Sequence, residues 1–129
     1  MSGGTNDERE VTRVLIVEDS VTQAATVALQ LAHAGFSTAT AGSLAEARRT
    51  LAEAPPDVVL LDLELPDASG LEAVEALDAE HPALPVVVLT SEHGEDLGLE
   101  ALSRGAEDYV PKAGLEPRWL HRSLRYAIG

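Results

Sequence analysis

The stretch "DVVLLDLELPDASGLE", residues 57–72, sets four consecutive apolar residues (58–61) directly before a carboxylate, Asp62. An apolar run of this length reads as a buried strand. Burying a carboxylate is unfavourable unless nearby groups compensate it. The acid at the end of this strand is therefore explicable only through what the rest of the chain brings beside it.

Outward from that stretch, the pattern alternates between two periods. "RVLIVE" (13–18) is a short β-branched run, and residues 21–34 repeat apolar side chains at helical spacing up to Gly35. "FSTAT" (36–40) is a weaker strand, after which Ser43 and Glu46 form an S-x-x-E capping box opening a helix to about Glu53. The strand at 57–61 follows, and Ser69 with Glu72 make a second capping box for a helix to about Glu80. "PVVVLT" (85–90) is a fourth strand, residues 95–104 are helical and stopped by Gly105, and "AEDYV" (106–110) is a fifth strand. A last helix at 116–128 puts Leu120, Leu124, Ala127 and Ile128 on one face. Strands 1, 3 and 4 are apolar almost throughout, as in a parallel sheet covered on both faces. Pro111 beside strand 5 suits an edge. Right-handed crossovers then predict a doubly wound, flavodoxin-like (βα)5 fold with a parallel five-stranded sheet of order 2-1-3-4-5.

The chain's 129 residues hold one domain, read as a flexible leader over 1–10 and a folded unit over 11–129. No apolar run approaches a membrane span, and the start lacks the pattern of a signal peptide. Cysteine is absent, which excludes disulfides and thiolate metal sites and fits a cytoplasmic protein. The formal charge of −13, with eight arginines and one lysine, would repel a phosphate backbone, so nucleic-acid binding by this domain is not expected. The four histidines, His33, His81, His93 and His121, have no metal-ligand spacing and read as surface residues.

Ligands in such a sheet bind at the carboxyl ends of the strands. Those ends carry Glu18 and Asp19, then Asp62, Thr90 and Lys112. The strand order makes Asp19 and Asp62 neighbours and lets a lysine side chain cross to them. Oxygen donors without His or Cys suit a hard divalent ion, and Mg²⁺ is the ion expected. Metal and lysine can neutralise phosphoryl oxygens while a carboxylate acts as nucleophile.

The motifs "VED" at 17–19, "LLDLELPDASG" around Asp62, "LTS" at Thr90 and "GAEDYVPK" ending at Lys112 together resemble the CheY-like receiver domain of two-component response regulators. The resemblance runs from about Arg13 to Ile128. It implies that Asp62 accepts a phosphoryl group from a sensor histidine kinase, that Asp19 and Asp62 bind Mg²⁺ directly, Glu18 through water and Glu64 through its backbone carbonyl. It further implies that Thr90 and Lys112 contact the phosphoryl oxygens and that Tyr109 is the switch aromatic. Two positions depart from the usual pattern: Ala113 follows the lysine while Pro111 precedes it, and Glu18 stands where many relatives have aspartate. Relatives also suggest a homodimer through helix 4, strand 5 and helix 5, pairing Arg118, Arg122 and Arg125 with Glu95, Asp96, Glu100, Glu107 and Asp108. The ending "LHRSLRYAIG" resembles a helix that joins receivers to output domains, so an output domain or a downstream protein is an expected partner. Glu64 and Glu92, each two residues past a site residue, are expected to influence hydrolysis of the acyl phosphate.

Two other readings compete. A haloacid-dehalogenase-type phosphatase also uses an aspartyl nucleophile, but it wants D-x-D where this chain has Asp62-Leu63-Glu64. A receiver-like interaction module that is never phosphorylated would not need the complete pocket.

Overall fold

A computed structural model describes residues 12–91, 95–112 and 116–128. The strands are β1 (Arg13–Val17), β2 (Ser37–Ala41), β3 (Val58–Asp62), β4 (Val86–Thr90) and β5 (Asp108–Pro111). The helices are α1 (Val21–His33), α2 (Leu44–Glu53), α3 (Gly70–Glu80), α4 (Glu95–Ser103) and α5 (Pro117–Ile128). Every strand pairing is parallel and the order is β2-β1-β3-β4-β5, as the sequence predicts.

The continuous apolar runs are explained by two cores rather than one. Successive side chains of a strand point to opposite faces. Leu15, Val17, Val59, Leu61, Val86 and Val88 therefore pack against α2, α3 and α4. Val14, Ile16, Val58, Leu60, Val87 and Leu89 pack on the other face, against Val27 and Leu31 of α1 and Leu120 and Leu124 of α5.

The helix starts follow the capping signals, with one rearrangement. At α3 the box is complete: Ser69 accepts from the Glu72 amide and Glu72 accepts from the Ser69 amide. At α2, Ser43 accepts from the Glu46 amide, but Glu46 turns to the Gly42 amide at 2.7 Å. The first two amides of α2 are satisfied from a distance, because Asp67 in the β3–α3 loop accepts from Leu44 and Ala45 at 3.0 and 3.1 Å. Those two bonds hold the Asp67 carboxyl below its ordinary pKa.

Several boundaries move. The β2 ladder starts at Ser37, paired with Arg13, and leaves Phe36 buried beneath it. β5 runs later than expected and includes Pro111, opposite Thr90, at an edge where its missing N–H costs nothing. The apolar face of α5 stops short of Ile128, which is 38% exposed. Each four-residue step rotates the face by about 40°, so Leu120 and Leu124 point inward and Ile128 has turned away. The histidines are also less uniform than expected: His33 is exposed, His81 and His121 are half-buried, and the His121 ring packs on Phe36 at 5.2 Å. His93 lies outside the described residues.

The loop after β3 is tied back by a Gly70 amide bond to the Leu63 carbonyl at 3.0 Å and a bridge between Glu64 and Ser69. A Cβ at position 70 would stand 2.3 Å from the Leu63 Cα and 2.4 Å from its carbonyl oxygen. Backbone cannot yield as a side chain can. Gly70→Ala is therefore expected to destabilise the fold by about 1–3 kcal/mol, read as a lower urea midpoint with an unchanged slope.

Candidate functional site

The site is built at the carboxyl edge of the sheet, where β1 and β3 lie side by side. Val17 pairs with Leu61, so the residues that follow, Glu18 and Asp62, arrive at the same rim. Both are buried, Asp62 to 2% and Glu18 to 4% exposure, while Asp19 is exposed. One carboxylate oxygen from each of the three lies within 4.8 Å of the others. Lys112 follows β5, and its amide is anchored on the Thr90 carbonyl at 2.8 Å. From there its ammonium reaches across to Asp62 Oδ1 at 3.0 Å and Glu18 Oε1 at 3.5 Å. The sequence-predicted acids and lysine are thus brought together.

Other expected residues stand further out. Thr90 is buried at the end of β4, one residue past Leu89, which pairs with Asp62. Tyr109 lies opposite Val88 on β5, half-buried, with its ring laid over Gly98 of α4. A Cβ at position 98 would come within 2.6 Å of that ring, so glycine makes the slot in which it lies. The Glu64 side chain is exposed, and its amide donates to Asp62 Oδ1 at 3.2 Å. Glu92 and Ala113 lie outside the described residues.

Sequence reasoning did not single out Ser20 and Gln23. The Ser20 amide donates to Glu18 Oε2 at 3.1 Å, and the Ser20 hydroxyl accepts from the Gln23 amide at 3.2 Å. The Gln23 side chain accepts from the Lys112 ammonium at 3.1 Å. The only signal in the sequence, S-x-x-Q at 20–23, points to a capping box instead.

The charges are unevenly matched. Burial raises the Glu18 pKa to about 7, the contact with Asp62 adds to this, and the Ser20 amide and Lys112 oppose it. Burial works against the Lys112 ammonium, but Asp62 and Glu18 outweigh it and hold its pKa above the ordinary value. Glu18 Oε1 is buried without a hydrogen-bond partner. Three clustered carboxylates, one with an orphaned oxygen, form an all-oxygen donor set that fits a hard divalent cation.

In metal-free protein, folded Glu18 holds a proton between about pH 4.5 and 7 that the unfolded chain releases. Its contribution to stability is complete below that window and lost as pH rises through it, amounting to no more than about 3 kcal/mol. Glu18→Gln should flatten the fall in urea-unfolding free energy between pH 5 and 8. An unchanged slope would mean that Glu18 does not titrate there.

The chain is similar to known proteins over most of its length. Residues 14–125 match the response regulator receiver domain family. The chain is 39% identical over 118 residues to the transcriptional regulatory protein KdpE of Mycobacterium tuberculosis, covering 92% of this chain and 51% of that protein. It is 39% identical over 100 residues to the virulence transcriptional regulatory protein PhoP of Salmonella typhimurium, covering 78% and 45%. The chain thus spans about half the length of the curated relatives it matches. Among solved structures, a response regulator receiver domain protein from Clostridium thermocellum matches with a TM-score of 0.83 at 25% identity, covering 92% of this chain and 94% of its own. The receiver domain of NtrX from Brucella abortus matches with a TM-score of 0.84 at 27% identity, covering 89% and 97%. By sequence match, strand order and acidic rim together, this chain belongs to the response regulator receiver domains of two-component systems.

Proposed function

We propose that Asp62 is the phosphoryl acceptor of this receiver, taking the group from the phosphohistidine of a sensor histidine kinase in the cytoplasm. The observation that carries this reading is the Lys112 ammonium 3.0 Å from Asp62, beside a buried, orphaned oxygen of Glu18. An Asp62 oxygen attacks phosphorus, the phosphorus–nitrogen bond of the donor breaks, and the departing imidazole takes a proton from solvent. Lys112 keeps one phosphoryl oxygen paired, and the Thr90 hydroxyl supplies a donor to another. Asp19 and Asp62, with Glu18 through water and the Glu64 carbonyl, would hold Mg²⁺, which when bound supplies positive charge to the phosphoryl oxygens. Water attack on the acyl phosphate later returns the carboxylate, so the domain acts as a switch on itself.

The readout we assign to Tyr109. As Thr90 moves toward the phosphoryl group, the tyrosine ring leaves its place over Gly98 and alters the face formed by α4, β5 and α5. The two helices of that face carry exposed Leu97, Leu99 and Tyr126, and we assign the face to an output domain, a downstream protein or a second copy. The expected charge pairing is already partly spent within the chain. Arg118 pairs with Glu116, Arg104 with Glu100 and Glu75, and Asp108 accepts from Ser123 and from the Tyr109 amide. Arg122 lies over Tyr126 and stays available, as do Glu95, Asp96 and Glu107, which form no ion pair among the described residues.

Incubation with Mg²⁺ and a small acyl phosphate should add one phosphoryl mass, mapped to the peptide containing Asp62. Asp62→Asn should abolish the addition, and label at any other residue would overturn the assignment. For the second copy, light scattering should show a larger mass only with a phosphoryl mimic bound, and Arg122→Glu should restore the monomer. A monomer in both states removes the homodimer.

A further inference from the structure

The Lys112 ammonium has three donors, and three oxygens stand near it at unequal distances. Asp62 Oδ1 lies at 3.0 Å, Gln23 Oε1 at 3.1 Å and Glu18 Oε1 at 3.5 Å. The longest contact is the anomaly. Glu18 Oε1 is a buried carboxyl oxygen with no hydrogen-bond partner, and once ionised such an oxygen attracts an ammonium more strongly than a neutral amide does. A neutral side chain nevertheless holds the shorter distance.

The reason lies in how α1 begins. Ser20, the N-cap, is followed three residues later by Gln23, whose side chain would ordinarily bond back to the Ser20 amide. Glu18 Oε2 already takes that amide at 3.1 Å. The Gln23 side chain is released and extends over the groove of about 330 Å³ that Gln23, Thr26, Val27, Leu89 and Lys112 line together with Glu18. Asp19 lines a separate depression shared with Glu18 on the other flank. Gln23 thus meets the lysine on the side of the acidic cluster away from Asp19.

We propose that Gln23 is a positioning residue that holds the Lys112 ammonium at Asp62 and short of a hydrogen bond with Glu18, leaving the buried Glu18 oxygen to a cation. This rests on the reading of Glu18, Asp19 and Asp62 as the Mg²⁺ site. Without the Gln23 oxygen, the ammonium closes on Glu18 Oε1 and competes with the divalent ion for it. Gln23 is exposed and its backbone amide carries the bond to Ser20, so a side-chain change leaves the helix start intact.

The test is Mg²⁺ titration without any phosphoryl donor, followed by backbone amide NMR shifts, on the parent, Gln23→Leu, Lys112→Met and the double variant. Gln23→Leu should weaken Mg²⁺ binding roughly three- to tenfold, the size expected from freeing one charge-assisted hydrogen bond. The same change in the Lys112→Met background should have no effect, because Gln23 acts through the lysine. Equal affinity of Gln23→Leu and the parent overturns the inference, as does an equal loss in both backgrounds. A parent that binds no Mg²⁺ overturns the metal-site reading, and this inference with it.

Discussion

Two carboxylates, Glu18 and Asp62, are buried at the rim of the sheet, and the ammonium of Lys112 compensates them. Removing two like charges from water into one small space is costly, and the arrangement survives only because a cation is delivered to it. That delivery depends on the strand order. Lys112 leaves the edge strand β5, is fixed by its amide to the end of β4, and crosses to acids on β3 and β1. No local sequence contact could do this, since Lys112 lies 50 residues from Asp62 and 94 from Glu18. The compensation is incomplete. One buried Glu18 oxygen faces the ammonium at 3.5 Å without a hydrogen bond, so its desolvation is only partly offset.

Among the described residues, hydrogen bonds at this rim tie down the loops that follow β1 and β3. Glu18 takes the amide of the α1 N-cap, Asp67 reaches from the β3–α3 loop to cap α2, and Gly70 closes that same loop on Leu63. Such ties hold the carboxylates in place without a dedicated scaffold. Tyr109 sits in a slot made by the missing side chain of Gly98 and packs against the core beneath α4.

Much of this was legible in the residues. Apolar runs at 58–61 and 86–89 announce a sheet covered on both faces, and the S-x-x-E pattern at Ser69 is realised in full. Glu18, Asp19, Asp62 and Lys112 were identifiable as strand-end residues because the fold class alone says which ends converge. The misreadings share a cause. The box at Ser43 closes on Gly42 and borrows Asp67, Ile128 rotates out of the α5 face, and His121 finds a neighbour in Phe36. In each case a partner distant in sequence, or accumulated helical rotation, overrides a local preference.

The sequence by itself determined the element order, the two-faced core and the gathering of acids with a single lysine, because periodicity and crossover handedness leave few alternatives. Tertiary structure alone decided which carboxylates are buried, which oxygen makes no hydrogen bond and which side chain bonds to the lysine. Those outcomes are set by ångström differences between competing acceptors, and no spacing along the chain encodes them.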